Sequence, residues 1–153
     1  MSAGHDSATV ETCLDRARRQ LADAGIEDPQ REARAILAHH MGVEATVLIA
    51  FPERPVPAGA AFDGLVARRC RREPLSHILG RREFWSLDFA VGPQVLDPRP
   101  DSETLIELAL DHLPDRQAAL ELVDFGTGSG CLLLALLSEL PAARGLGVDR
   151  SAE

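Results

Sequence analysis

Between positions 9 and 24 the apolar residues Val10, Cys13, Leu14, Ala17 and Leu21 recur every three or four places, which predicts one face of an amphipathic helix. Asp6 or Ser7 can cap its start, and Gly25 its end. Asp28 followed by Pro29 has the form of an N-cap and first helical residue, and Ala33, Ile36, Leu37 and Met41 continue as a second stripe up to Gly42. A short third helix is predicted over Ala45 to Ala50. Pro52, Pro55 and Pro57 then mark a loop, and Phe62, Leu65, Val66 and Cys70 mark a fourth helix.

At Glu83 the period changes from helical to alternating. The run from Glu83 to Leu96 interleaves large apolar with polar residues, has turn residues at Gly92 and Pro93, and predicts a β-hairpin. Asp97-Pro98-Arg99-Pro100-Asp101 can continue neither a ladder nor a helix, so a fixed loop is expected, with Asp101 or Ser102 capping the next helix. That helix should turn Leu105, Ile106, Leu108, Ala109 and Leu113 inward. The last third reads strand (Leu120 to Phe125), glycine loop (Gly126 to Gly130), helix (Cys131 to Leu140) and strand (Leu146 to Asp149), one βαβ unit.

Composition adds limits. With 45% hydrophobic residues in 153, the chain can bury a real core. A net charge of -8 without a long basic run argues against direct nucleic-acid binding. Cys13, Cys70 and Cys131 are odd in number and widely spaced, which fits neither a zinc site nor a disulfide framework and suits a reducing cytoplasm. No metal site is expected. No signal-like N-terminus is evident, and the strongest apolar run, Cys131 to Leu137, is too short for a bilayer.

The chemistry concentrates in Leu122-Val-Asp-Phe-Gly-Thr-Gly-Ser-Gly130, where an apolar strand delivers Asp124 and three alternating glycines to the start of a helix. Glycines permit positive φ and close approach of backbone amides to a ligand, and the helix start adds unpaired N–H groups. Asp149, at the predicted end of the second strand, can accept both hydroxyls of a ribose. A dinucleotide fingerprint needs glycine at position 131, which is Cys131 here. The spacing is instead that of the first motif of Rossmann-like methyltransferases.

Upstream, Glu73-Pro-Leu-Ser-His-Ile-Leu-Gly80, Glu83-Phe-Trp85 and Val95-Leu-Asp-Pro-Arg-Pro-Asp-Ser-Glu-Thr104 stand in order before the glycine loop. Together these segments resemble the protein-(glutamine-N5) methyltransferases acting on peptide chain release factors, the PrmC/HemK family. The resemblance covers the N-terminal half of that family. It implies an α/β chain in three parts: a helical substrate-docking domain (1–75), a linker with a β-hairpin (76–100), and the first βαβ unit of a Rossmann-like methyltransferase domain (101–153), incomplete.

The implied cofactor is S-adenosyl-L-methionine, with Asp124, Gly126, Thr127, Gly128, Ser129, Gly130 and Asp149 as its binding residues. Pro98, Arg99, Pro100 and Glu103 match the family's segment beside the active site, although the family more often has an apolar residue at Asp97 and a Glu-Thr pair at Asp101-Ser102. The implied partner is a class I release factor, methylated on the glutamine of its Gly-Gly-Gln loop by a cytoplasmic monomer. The family's Asn-Pro-Pro-Tyr motif, which orients the glutamine amide, occurs nowhere in the 153 residues. An inactive fragment with an uncovered apolar sheet edge is therefore expected. A release-factor-binding module without catalysis and a nucleic-acid amino-methyltransferase are the alternatives.

Other residues have plainer meanings. His39, His40, His77 and His112 are expected at the surface or in satisfied packing, and Cys131 as a small packing residue. Trp85 either stacks on substrate or anchors the hairpin. Arg68 to Arg72 is expected to be a solvated helix face or a patch for an acidic partner.

Overall fold

The computed structural model describes residues 8–57 and 59–151. The chain divides into two compact units, Met1–Leu79 and Gly80–Glu153, and each has its own hydrophobic cluster.

The first unit is helical: α1 (Val10–Asp23), α2 (Pro29–Met41), α3 (Ala45–Ala50), α4 (Gly59–Cys70) and α5 (Leu75–Leu79). Its helix ends follow from local chemistry. Thr9 is the N-cap of α1 in a reciprocal box: its hydroxyl accepts from the Thr12 N–H and the Thr12 hydroxyl accepts from the Thr9 N–H. Asp6 and Ser7, the caps proposed from sequence, lie outside the described residues. Asp28 accepts from the Arg31 N–H with Pro29 in the first turn, and Gly42 closes α2 at φ 63. The sequence stripes point inward as predicted, with Val10, Cys13, Ala17, Leu21, Ile36, Leu37, Phe62 and Val66 all at 1% exposure or less. The Leu75–Leu79 helix was not foreseen, because Pro74 and Gly80 leave too short a run for periodicity.

The arginine run is solvated at Arg71 and Arg72, while Arg68, Arg69 and Arg72 are each tied to a partner in the unit. Arg68 grips Glu73 through two bonds, Nε to Oε2 at 2.8 Å and Nη2 to Oε1. Arg69 pairs with Glu32 of α2, at 17% and 15% side-chain exposure, and reaches the Glu73 carbonyl at 3.2 Å. Arg72 donates to the Ala24 carbonyl at 2.8 Å, at the end of α1. Arg69 and Arg72 thereby tie the end of α4 to α2 and α1. Within the run, Arg69 is held above the usual arginine range first by its bond to Glu32.

The second unit holds a hairpin of β1 (Arg81–Phe84) and β2 (Leu87–Ala90), a 3₁₀ turn at Pro100–Ser102, α6 (Glu103–His112), and β3 (Glu121–Phe125), α7 (Cys131–Glu139) and β4 (Arg144–Val148). β1 and β2 are antiparallel, with Phe84 opposite Leu87. The turn is therefore Trp85-Ser86, at φ 51 and 58, and the Gly92-Pro93 turn of the sequence reading lies beyond the hairpin. Two positive φ values form the tight loop whose twist suits a hairpin, here without the usual glycine. Phe84 and Phe89 enter the core edge to face, with centroids 6.4 Å apart, and Ile106, Leu110, Ala135 and Leu140 pack in the same cluster.

Two further expectations need correction. Pro100 starts a 3₁₀ turn that runs directly into α6, so the loop is partly helical and Ser102 makes no side-chain cap. Ile106 and Leu110 form the buried face of α6, whereas Leu105 and Leu108 are about half exposed. The helix has more apolar residues than it has core-facing positions.

β3 and β4 are parallel neighbours in the register Val123 to Leu146, Asp124 to Gly147 and Phe125 to Val148. Side chains alternate across a strand, so Val123, Phe125, Leu146 and Val148 share one face, and all are exposed, Phe125 at 82%. Gly145 and Gly147 lie on the other face, where α7 and the glycine loop press against bare backbone. A Cβ at Gly145 would meet Leu137 Cδ1 at 2.8 Å, and one at Gly147 would meet Thr127 Oγ1 at 2.9 Å.

Candidate functional site

The site is built where β3 ends, α7 begins and β4 ends. Gly126, Gly128 and Gly130 all lie at positive φ (78, 52 and 76), so the loop turns twice within five residues and Gly130 becomes the N-cap of α7. Two backbone bonds hold the loop to β4: the N–H groups of Gly126 and Thr127 both donate to the Val148 carbonyl, at 2.7 and 3.2 Å.

The two acidic residues singled out from sequence each pin the loop. Asp124 Oδ2 accepts from the Thr127 hydroxyl at 2.9 Å, and the Thr127 side chain sits over Gly147. Asp149 Oδ2 accepts from the Gly128 N–H at 2.9 Å and its Oδ1 from the Ser151 N–H at 2.9 Å. The Ser151 N–H, followed by that of Gly128, holds the Asp149 carboxyl below the usual aspartate range. An ionised carboxylate has about four lone-pair directions, so two N–H bonds leave it able to accept more. Asp149 is exposed, and nothing lies within 4 Å of where a Cβ would stand on Gly126. Backbone amides at a helix start, an open glycine turn and an exposed carboxylate at the strand end fit an adenosine-type cofactor.

The chain ahead of the proline-arginine-proline segment approaches this loop through Val95, which opens the motif read from sequence without a role of its own. Val95 Cγ1 lies 3.9 Å from the Cβ position of Gly128, so the chain passes over the glycine loop just before Asp97. Pro98 is buried, while Arg99 and Pro100 are exposed. The Arg99 carbonyl accepts from the Ser102 N–H at 2.9 Å. Glu103, at the start of α6, faces the hairpin: its Oε1 accepts from the Trp85 N–H at 3.0 Å. The Trp85 indole donates to Glu139 Oε1 at 2.8 Å. Trp85 thus anchors the hairpin turn to α6 and α7. No partner for Ser129 is found among the described residues.

The histidines divide. His40 Nε2 is 2.8 Å from the Pro57 carbonyl, and His112 Nδ1 donates to the Leu108 carbonyl at 2.8 Å, both satisfied structural contacts. His77 Nε2 is buried without a hydrogen-bond partner among the described residues. No group of three or more His, Cys, Asp or Glu among the described residues is placed to hold a metal ion. No described helix is long and apolar enough to cross a membrane.

Comparison with known proteins agrees with the order of motifs. Residues 12–80 match the PrmC N-terminal domain. A release factor glutamine methyltransferase of Rhodospirillum rubrum is 46% identical over 138 residues, which is 89% of this chain and 42% of that protein. Proteins of the same name from Vibrio cholerae and Caulobacter vibrioides are 43% and 42% identical, over 94% and 90% of this chain and 50% and 48% of their own. The chain spans about half the length of the curated relatives it matches. A helical first unit matching the PrmC N-terminal domain, and a second unit carrying an acid-pinned glycine loop, make up a chain that resembles the N-terminal half of the release factor glutamine methyltransferases.

Proposed function

We propose that this chain is the substrate-docking and cofactor-loop half of an S-adenosyl-L-methionine-dependent methyltransferase that modifies the glutamine of a release factor's Gly-Gly-Gln loop. The observation that carries the reading is the Asp149 carboxylate beside Gly128, within a chain 42–46% identical to relatives named for that activity. In this reading residues 1–75 dock the protein substrate, 76–100 link, and 101–153 begin a Rossmann-like domain that the relatives' further length completes. The open apolar face of β3 and β4 supports that last point, since parallel sheets are normally covered on both faces.

The bound cofactor supplies a methyl group activated on a sulfonium centre. Asp149 would receive the ribose hydroxyls beside the open glycine turn, and Asp124 holds Thr127 so that the loop keeps its shape. Val95 borders the same loop at Gly128. Orienting a weakly nucleophilic amide is a task of positioning more than of proton transfer. The Asn-Pro-Pro-Tyr acceptors that do this in the resembling family are not among these residues.

The test is a version extended by the region that the relatives have beyond the match, incubated with S-adenosyl-L-methionine and a class I release factor. One methyl group on the Gly-Gly-Gln glutamine, detected by peptide mass spectrometry, is the expected result. An unmodified glutamine alongside a methylated oligonucleotide would transfer the assignment to the nucleic-acid class. The helical unit has a core of its own, which favours one second reading: a release-factor-binding module without catalysis.

A further inference from the structure

Glu103 is the first residue of α6, where a carboxylate ordinarily serves its own helix, close to the free N–H groups and the positive end of the dipole. Its Oε1 instead accepts the backbone N–H of Trp85 at 3.0 Å, 18 residues earlier in the chain. That N–H needs an acceptor from outside the hairpin. Phe84 stands opposite Leu87, so Trp85 and Ser86 alone make the turn, and the first residue of a two-residue loop has no partner for its N–H within the ladder. Both turn residues lie at positive φ, 51 and 58, which is unfavourable for any residue with a Cβ. The shape of the turn therefore depends on what holds it, and both holds are carboxylates: Glu103 on the backbone N–H and Glu139 on the indole.

The stretch of chain that ends at Glu103 begins at the glycine loop. Val95 Cγ1 stands 3.9 Å from the Cβ position of Gly128, and the Gly128 N–H is the one that Asp149 accepts. Between Val95 and Glu103 the backbone has little freedom. Pro98 and Pro100 fix their own φ, Arg99 between them is extended, and the Ser102 N–H closes the 3₁₀ turn on the Arg99 carbonyl at 2.9 Å. At the other end the Val95 N–H donates to the Gly92 carbonyl at 3.1 Å. Residues 95–103 thus form a stiff strap, with one end over the glycine loop and the other tied to the hairpin turn.

We infer that Glu103 is a positioning residue for the cofactor loop: by holding the Trp85 N–H it fixes the strap, and through Val95 the strap keeps Gly128 in place for Asp149. The carboxylate acts through the chain, at a distance from the atoms it orders. This rests on the functional reading above and deepens it, because it gives Glu103 a task that neither helix capping nor contact with a ligand would require.

The experiment compares Glu103→Ala, Glu103→Gln and Glu103→Asp in the full chain by the amide resonances of Gly128 and Val95 and by the indole N–H of Trp85, the single tryptophan. Glutamine keeps the reach and an acceptor oxygen without the charge, whereas aspartate keeps the charge at the start of α6 and is one methylene shorter. Gly128 and Val95 are expected to shift together with Trp85 in the Ala and Asp variants and to stay near their parental positions in the Gln variant. Unmoved Gly128 and Val95 resonances in both the Ala and Asp variants would overturn the strap. So would a parental Asp variant beside a displaced Gln variant, the pattern of a residue that serves only the α6 dipole. Circular dichroism checks folding, and the Gln and Asp pair decides alone if Glu103→Ala unfolds. In the extended version Glu103→Asp is expected to weaken S-adenosyl-L-methionine binding roughly three- to tenfold more than Glu103→Gln does. Methyl transfer by the extended parent, measured separately, distinguishes failure of the strap from failure of the functional reading.

Discussion

The carboxylate of Asp149 accepts the backbone N–H of Gly128 at 2.9 Å, so the end of one strand holds the middle of the loop that follows the other. The same side chain then has two tasks, shaping the loop and receiving the ribose. Asp149→Ala in the extended protein is expected to weaken S-adenosyl-L-methionine roughly ten- to a hundredfold in equilibrium binding. An unchanged dissociation constant would remove Asp149 from the cofactor site.

The loop should also respond to acid. The Asp149 carboxyl is held below its ordinary range first by the Ser151 N–H and then by the Gly128 N–H. A carboxyl lowered in the folded state contributes stability that is complete above roughly pH 4, the unfolded value, and is lost as pH falls through the lower folded value. The amide resonances of Gly128 and Ser151 should therefore titrate together with a midpoint below pH 4. A midpoint in the ordinary aspartate range would mean that the two bonds do not persist in solution.

Gly147→Ala tests the contact of strand against loop. The new methyl would stand 2.9 Å from Thr127 Oγ1 and 3.0 Å from its Cγ2, and Thr127 is itself tied to Asp124. The φ of Gly147 is not in the left-handed region, so the penalty is steric and should be about 1–3 kcal/mol of the second unit's stability. Equal thermal midpoints for variant and parent would contradict the packing described.

These elements differ in how far the sequence reveals them. The second helix of the first unit is legible at both ends, because Asp28, Pro29 and Gly42 each act within a few residues of their own position. The glycine loop is legible for the same reason: three alternating glycines at positive φ constrain the backbone whatever surrounds them. The hairpin turn is less legible, because Trp85 and Ser86 are poor turn formers by propensity beside Gly92-Pro93, and Glu103 and Glu139, distant in sequence, hold Trp85 there. Thr127 over Gly147, Val95 over Gly128 and Arg69 with Glu32 are likewise contacts between distant positions, which no local pattern encodes. In α6 the composition offered five inward residues, and tertiary packing selected which stripe would be covered.

In the helical unit, Glu32→Gln leaves Arg69 without its carboxylate. With both side chains more than four-fifths shielded, the pair stands between the surface and fully buried limits, and a loss of about 2 kcal/mol is expected. Urea unfolding of the first unit, followed by circular dichroism, would detect it; a midpoint within error of the parent would show the pair to be incidental.

The turn offers a change in the opposite direction. Ser86 is held at φ 58, where a Cβ is unfavourable, so Ser86→Gly should relieve more strain than it adds in unfolded-state freedom, for a net gain of about 0.5 kcal/mol. A lowered melting temperature would indicate that the Ser86 side chain has a contact of its own.

The placement of Trp85 gives the chain a built-in optical reporter. It is the single tryptophan, and there is no tyrosine. Excited at long ultraviolet wavelengths, the protein emits from one indole, bonded to Glu139 and lodged among the hairpin, α6 and α7. Quenching and spectral shifts thus follow the second unit alone, while far-ultraviolet dichroism follows the described helices of both units, five of them in the first and two in the second. Comparing the two signals in one cuvette shows whether the second unit melts with the rest, without a dye or an introduced label.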